Sequence, residues 1–250
     1  MKKDPHHLFL VWLIFTGLII FTLFVSWHEN ILILLYAGDK SRISWAITLL
    51  YLIVTFHCIL RVHYISNQLN ATQKIKDLIQ NENNLDIRLS DGRVHVNGNH
   101  VLPDSVLSEY LYDLIYKTKH ENINNKLESN KQNNDLIDVY ESRLKKPHDI
   151  GWFVTDIMVK LGLLGTIIGF VLMLGTVSNI TDFDLSTVQK ILSHMSAGMG
   201  TALYTTFAGL VCSILAGVQY HMLDRGADDV IEVAKHLSSV YVVPKLNSGI

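Results

Sequence analysis

The sequence predicts an all-α polytopic membrane protein with four transmembrane helices and a small cytoplasmic insert. Residues 8–27 and 43–60 are two runs of about twenty residues without Asp, Glu, Lys or Arg, each long enough to cross roughly 30 Å of hydrocarbon. Two further apolar stretches, from residue 157 or 161 to 177 and from 199 to 219, carry threonines among a comb of glycines. With 49% hydrophobic and 18% charged residues, the chain is more apolar than an ordinary soluble domain, while about ninety mostly polar residues separate the two pairs of spans.

In chain order, the first span is too long for a secretory signal core and has no small-residue cleavage pattern after it. The second span is closed by Arg61, where composition turns toward Asn, Asp, Lys and Gln. Residues 66–80 place Leu69, Ile75, Leu78 and Ile79 at helical spacing and extend that span. Alternation over residues 87–96 around Asp91-Gly92 predicts a β-hairpin. Asp104 is the expected N-cap of a helix reaching Lys119, with Leu107, Leu111, Leu114 and Ile115 on one face. The Asn-rich run 121–135 has too little apolar surface for a core and reads as a loop or an exposed helix end. The expected organisation is an N-terminal transmembrane pair (1–60), a cytoplasmic insert (61–150), a channel-forming pair (151–222) and a cytoplasmic tail (223–250).

Four spans put both termini on one side. Lys2, Lys3, twelve Lys or Arg between Arg61 and Lys146, and Arg225, Lys235 and Lys245 lie on that side, against Lys40, Arg42 and Lys190 opposite. The positive-inside rule makes it cytoplasmic. A net charge of −2 with no concentrated basic face gives no ground for nucleic-acid binding. Cys58 and Cys212 fall inside spans and form neither a disulfide framework nor a zinc site. His6, His7, His95, His100, His120 and His148 are scattered without metal-ligand spacing and read as solvated. His57 is different, because an ionisable group in a span is a functional candidate, although its place near the membrane edge also suits an interfacial role.

Gly162, Gly165 and Gly169 thin the third span on the side that brings Thr166 inward, and Thr155, eleven residues earlier, points in nearly the same direction on an ideal helix. In the fourth, Thr205, Gly209, Ser213 and Gly217 recur every four residues as a small-xxx-small stripe for helix packing, with Thr206 on the neighbouring face beside Ala202. A threonine here either returns its hydroxyl to the preceding turn or offers it to an ion path. Asp156 and Lys160, four apart, form a helical pair at the expected cytoplasmic mouth. No carboxylate occupies the centre of a span, so an ion site needs a group from a partner. No nucleophile and base stand together in or near a span, which argues against an enzyme.

Residues 161–169 (LGLLGTIIG) and 200–217 (GTALYTTFAGLVCSILAG) resemble the MotA/TolQ/ExbB proton-channel family, and the specific similarity covers roughly residues 151–222. The resemblance implies five subunits whose last two spans surround two single-span partner helices, each partner bringing a membrane aspartate, with ion flow driving rotation or force transfer. It implies that Thr166 and Thr206 face the partner helices and that Gly162, Gly165, Gly169 and Gly209 are packing positions. It implies no cofactor, and a bacterial inner-membrane location. Four spans with a long insert look more like the flagellar-stator arrangement than the three-span one, but the stator proline signature is missing from both core spans, so the machine driven is left open. Two hydroxyls make a sparse site that suits a proton better than sodium, which wants several more oxygens. A sodium-driven motor subunit and a non-conducting scaffold or assembly factor are the alternative readings.

Overall fold

The computed structural model describes residues 7–80, 87–90, 93–96, 100–120, 126–177 and 185–248. Among them are helices α1 (His7–His28), α2 (Ile31–Gly38), α3 (Ile43–Gln80), α4 (Val106–His120), α5 (Lys126–Val177), α6 (Leu185–Leu237) and α7 (Val243–Ser248), with a π-helical stretch at Ser238–Val242. Strands β1 (Ile87–Ser90), β2 (Arg93–Val96) and β3 (His100–Val101) form an antiparallel sheet in that order. Four helices are long and apolar enough to cross a membrane: α1, α3, α5 and α6. The protein is therefore an all-α, multi-pass membrane protein.

The chain divides into two compact units. One comprises Trp12–Leu60 and Asp149–His221, the other Met1–Val11, Arg61–His148 and Met222–Ile250. In the first, α1 and the opening half of α3 are apolar on nearly every face, which in lipid leaves the backbone only intrahelical partners. Ile47, Tyr51, Val54 and Cys58 of α3 turn inward at three- and four-residue steps, whereas Leu49, Leu52, Ile53 and Phe56 stay exposed. Between the first two spans the chain forms the short helix α2. The chain enters it through Asn30 in the left-handed region (φ 61°), which asparagine tolerates. Asp39 then organises the entry to α3: its carboxylate accepts the amides of Ser41 (2.9 Å) and Ser44 (2.8 Å) and the Ser41 hydroxyl (2.6 Å).

In the second unit α3 becomes amphipathic, burying Val62, Ile65, Ile75 and Ile79. Helix α4 buries Leu107, Leu111, Leu114 and Ile115, the expected face. Its cap is Ser105, not Asp104. The Ser108 amide donates to Ser105 Oγ (3.2 Å) and the Ser105 amide to Ser108 Oγ (3.0 Å), a reciprocal box in which a short hydroxyl reaches back within one turn. Asp104 instead lies 3.6 Å from Arg93. The β1–β2 register pairs Ser90 with Arg93 and Ile87 with Val96, and β3 adds a strand the alternation pattern did not announce. The Asp91-Gly92 turn and residues 121–125 of the Asn-rich run lie outside the described residues; from Lys126 the run is helical. Burial pushes the Tyr110 phenol above its ordinary range, so it stays neutral and donates to Ser238 Oγ (3.2 Å).

Helix α5 buries Ile137, Tyr140, Leu144, His148, Gly151, Thr155, Met158, Gly162, Gly165 and Gly169, steps of three and four residues that alternate strictly from His148 onward. In α6, Ala202, Gly209, Ala216, Leu223, Val230 and Leu237 are buried every seventh residue.

Candidate functional site

Within the unit holding residues 149–221, α5 and α6 approach each other through glycine. A methyl built on Gly209 would stand 2.7 Å from the Met158 carbonyl oxygen and 3.0 Å from Gly162 Cα; one on Gly162 would stand 3.2 Å from Gly209 Cα. Gly165 lies under Thr205, whose Oγ1 would be 2.3 Å from such a methyl, and Gly169 under Ala202 and the Gly198 carbonyl, with the backbone nitrogen of Ala202 at 2.6 Å. Gly217 is looser, its nearest neighbours being Trp152 at 3.8 Å and Thr155 at 3.9 Å. Ser213 is half-buried. Gly198 was not marked by the sequence pattern, because it falls outside the stripe of residues 205–217.

This close approach lets two hydroxyls meet. Thr166 Oγ1 and Thr206 Oγ1 are 2.6 Å apart, and both lie 3.2 Å from the Gly162 carbonyl oxygen, while Thr206 Oγ1 is also 3.0 Å from that of Ala202. Both threonines are half-buried at the edge of the seam. Their two hydroxyl protons have alternative places. Thr166 can donate to Thr206, which then donates to a carbonyl, or Thr206 can donate to Thr166, which donates to Gly162. Rotation about two Cβ–Oγ bonds interconverts them; in either one a third polar group meets a free lone pair, and a hydroxyl that turns away from its carbonyl presents a donor instead.

Thr205 and Thr155 are placed differently. Thr205 is fully buried and returns its hydroxyl to Thr201 (2.9 Å) and Ala202 (3.1 Å) carbonyls. Thr155 follows the buried 3.5-residue line with Gly162 and Gly169 rather than the line of Thr166, and its hydroxyl donates to the Gly151 carbonyl at 2.8 Å. Asp156 and Lys160 form an exposed ion pair along α5.

Two polar clusters were not assembled from the sequence, although His57 of the first stood out there as an ionisable group in a span. His57 Nδ1 lies 2.7 Å from the hydroxyl of Tyr220, a fully buried ring that lies against Gly151, where a methyl would stand 1.9 Å from it; beside it the Gln219 amide donates to Tyr51 (3.2 Å). In the other unit His148 is 1% exposed, not solvated as expected. Its Nδ1 lies 2.7 Å from Asp224 and its Nε2 3.4 Å from Arg61 Nη2, which also donates to the Leu144 carbonyl (2.9 Å). Because a guanidinium only donates, Nε2 is the acceptor and Nδ1 carries the proton to Asp224. A single histidine between two long-range partners has no sequence signature. Among the described residues no group of three or more His, Cys, Asp and Glu is placed to hold a metal.

No curated protein and no solved structure matches the chain. A family model, MotA/TolQ/ExbB proton channel family, matches residues 101–235, more than half of the chain. The match takes in the whole glycine seam and the threonine pair, and the chain belongs to the MotA/TolQ/ExbB proton channel family.

Proposed function

We propose that the chain is the channel-forming subunit of an ion-driven motor in a bacterial inner membrane, coupling proton flow to mechanical work together with a single-span partner. The observation that carries this reading is the half-buried Thr166–Thr206 hydroxyl pair at 2.6 Å, in which hydroxyls of two membrane helices meet each other across the glycine seam. The span centres of this chain hold no carboxylate. An aspartate on the partner helix, stripped of water, would be costly in its charged form. A hydroxyl pair that exchanges donor and acceptor roles offsets that cost in both protonation states, bonding the carboxylate as donor and the carboxylic acid as acceptor. Two hydroxyls suit a proton; sodium would need several more oxygens. Thr155, turned into the seam, contributes packing, and the Asp156–Lys160 pair sits at the cytoplasmic mouth, on the side that also holds both termini.

The test is ion flux through the intact complex. Thr206→Val and Thr166→Val keep side-chain shape and remove one hydroxyl each, so each is expected to lower flux roughly two- to tenfold at normal assembly, the effect of about 0.5–1.5 kcal/mol. Thr206→Ser retains part of the activity. The double variant loses less than the sum of the two in free energy, because both hydroxyls serve one site. Thr176→Val, ten residues along the sequence from Thr166, is the control and is expected to be mild. Normal flux in both single valine variants overturns the reading. Motor activity that vanishes in sodium-free medium at constant proton-motive force overturns the proton assignment alone.

A further inference from the structure

The turn joining α2 to α3 lies outside the family match, yet it grips the channel helix α6 from the side. Thr201 is fully buried; its hydroxyl accepts the Lys40 amide (3.2 Å), and its one proton lies between two acceptors, the Ala197 carbonyl of its own helix (3.0 Å) and the Gly38 carbonyl of the turn (3.2 Å). One turn further along α6, the ring of Tyr204 rests on Gly38 so closely that a methyl there would be 2.3 Å from it. The turn itself is stiff, because the buried Asp39 carboxylate takes three hydrogen bonds from Ser41 and Ser44. On its other flank the same stretch of α6 is held by Gly169 and Gly165 of α5.

We propose that Thr201 is a positioning residue: through it, the α2–α3 turn sets the rotation and height of α6 that bring Thr206 against Thr166. The functional weight of this inference rests on reading that pair as the ion site. A hydroxyl contact of 2.6 Å tolerates little displacement before it is lost, so a small slip of α6 separates the pair. A helix packed against glycine on one side has few side chains to stop such a slip, and the turn supplies the stop.

The contact can be read without any ion flux. In the full-length chain carrying Cys58→Ala and Cys212→Ala, Thr166→Cys and Thr206→Cys place two thiols where the hydroxyls meet at 2.6 Å, and a disulfide forms where Cβ atoms can come to about 3.8 Å. Oxidation of isolated membranes with copper-phenanthroline is expected to form this bond within one chain. Adding Thr201→Val is expected to slow it about tenfold, the loss of roughly one to two hydrogen bonds, and Thr201→Ser to restore it. Gly38→Ala, which displaces Tyr204 from the opposite side of the contact, slows it as well and serves if Thr201→Val does not accumulate. An unchanged rate in the accumulating variants overturns the positioning role. No disulfide even with Thr201 present overturns the pair geometry and this proposal with it. Slower bonding combined with normal flux in Thr201→Val supports the positioning and counts against the ion-site reading instead.

Discussion

What stands opposite a helical glycine decides whether it tolerates a methyl. Gly209 faces the backbone of Met158 and Gly162, which cannot rotate away. Gly165 faces the side chain of Thr205, which is itself packed on all sides, and Gly217 has only ordinary contacts at 3.8–3.9 Å. Gly209→Ala is therefore expected to be the most damaging, and Gly165→Ala to cost about 1–3 kcal/mol through overpacking. Gly217→Ala should be neutral or stabilise by up to about 1 kcal/mol, since alanine is the better helix former. Thermal melting of the detergent-solubilised complex gives the order; a Gly217→Ala variant as damaged as Gly209→Ala would contradict the seam geometry. The same logic explains Gly151, whose missing side chain leaves room for the ring of Tyr220 and so for the His57 contact.

Helix α5 keeps its buried line through Pro147, which lacks an amide proton and whose ring crowds the carbonyl one turn earlier. One residue after that carbonyl, the Leu144 oxygen accepts a hydrogen bond from Arg61, and His148, next to the proline, receives Arg61 on one nitrogen and offers the other to Asp224. Pro147 leaves the Arg143 carbonyl without its helical donor, so the cluster stands beside that gap and ties α5 there to α3 and α6. Asp224→Ala would leave the Nδ1 proton of a buried imidazole without its acceptor, at a cost of about 1–3 kcal/mol. Asp224→Asn keeps an acceptor oxygen and should be milder. Scanning calorimetry compares the two, and equal losses would mean that charge, not acceptance of that proton, is what matters.

The unit built from residues 12–60 and 149–221 exposes Leu18, Phe21, Phe56, Ile167, Phe170, Leu203, Phe207 and Ile214 among many other apolar side chains. Soluble monomers rarely carry continuous apolar surface of that kind, so it must meet lipid or other helices. As a member of the MotA/TolQ/ExbB proton channel family, the chain belongs with non-catalytic membrane subunits rather than with enzymes. Purified with its partner, the complex is expected to hold five copies of this chain to two of the partner, with its core made by the apolar halves of α5 and α6. Native mass spectrometry reads the ratio directly, and a stable complex of any other stoichiometry overturns this assembly.

Features that depend on neighbours in the chain were legible beforehand. Charge-free runs of about twenty residues announced four membrane helices, because the length needed to cross hydrocarbon is a local property. Thr166, Thr206 and the glycine comb stood out for a similar reason, since small residues at helical spacing mark where helices can approach. Only the tertiary structure decided how those residues meet. It buried Thr155 while leaving Thr166 half-buried against Thr206, chose Ser105 over Asp104 as a cap, and buried His148. Each of these turns on a geometry or a partner that spacing does not show. Thr166 lies 40 residues from Thr206, His148 76 from Asp224, and Thr201 163 from Gly38, and a hydrogen bond selects partners by distance in space, to which separation along the chain gives no guide.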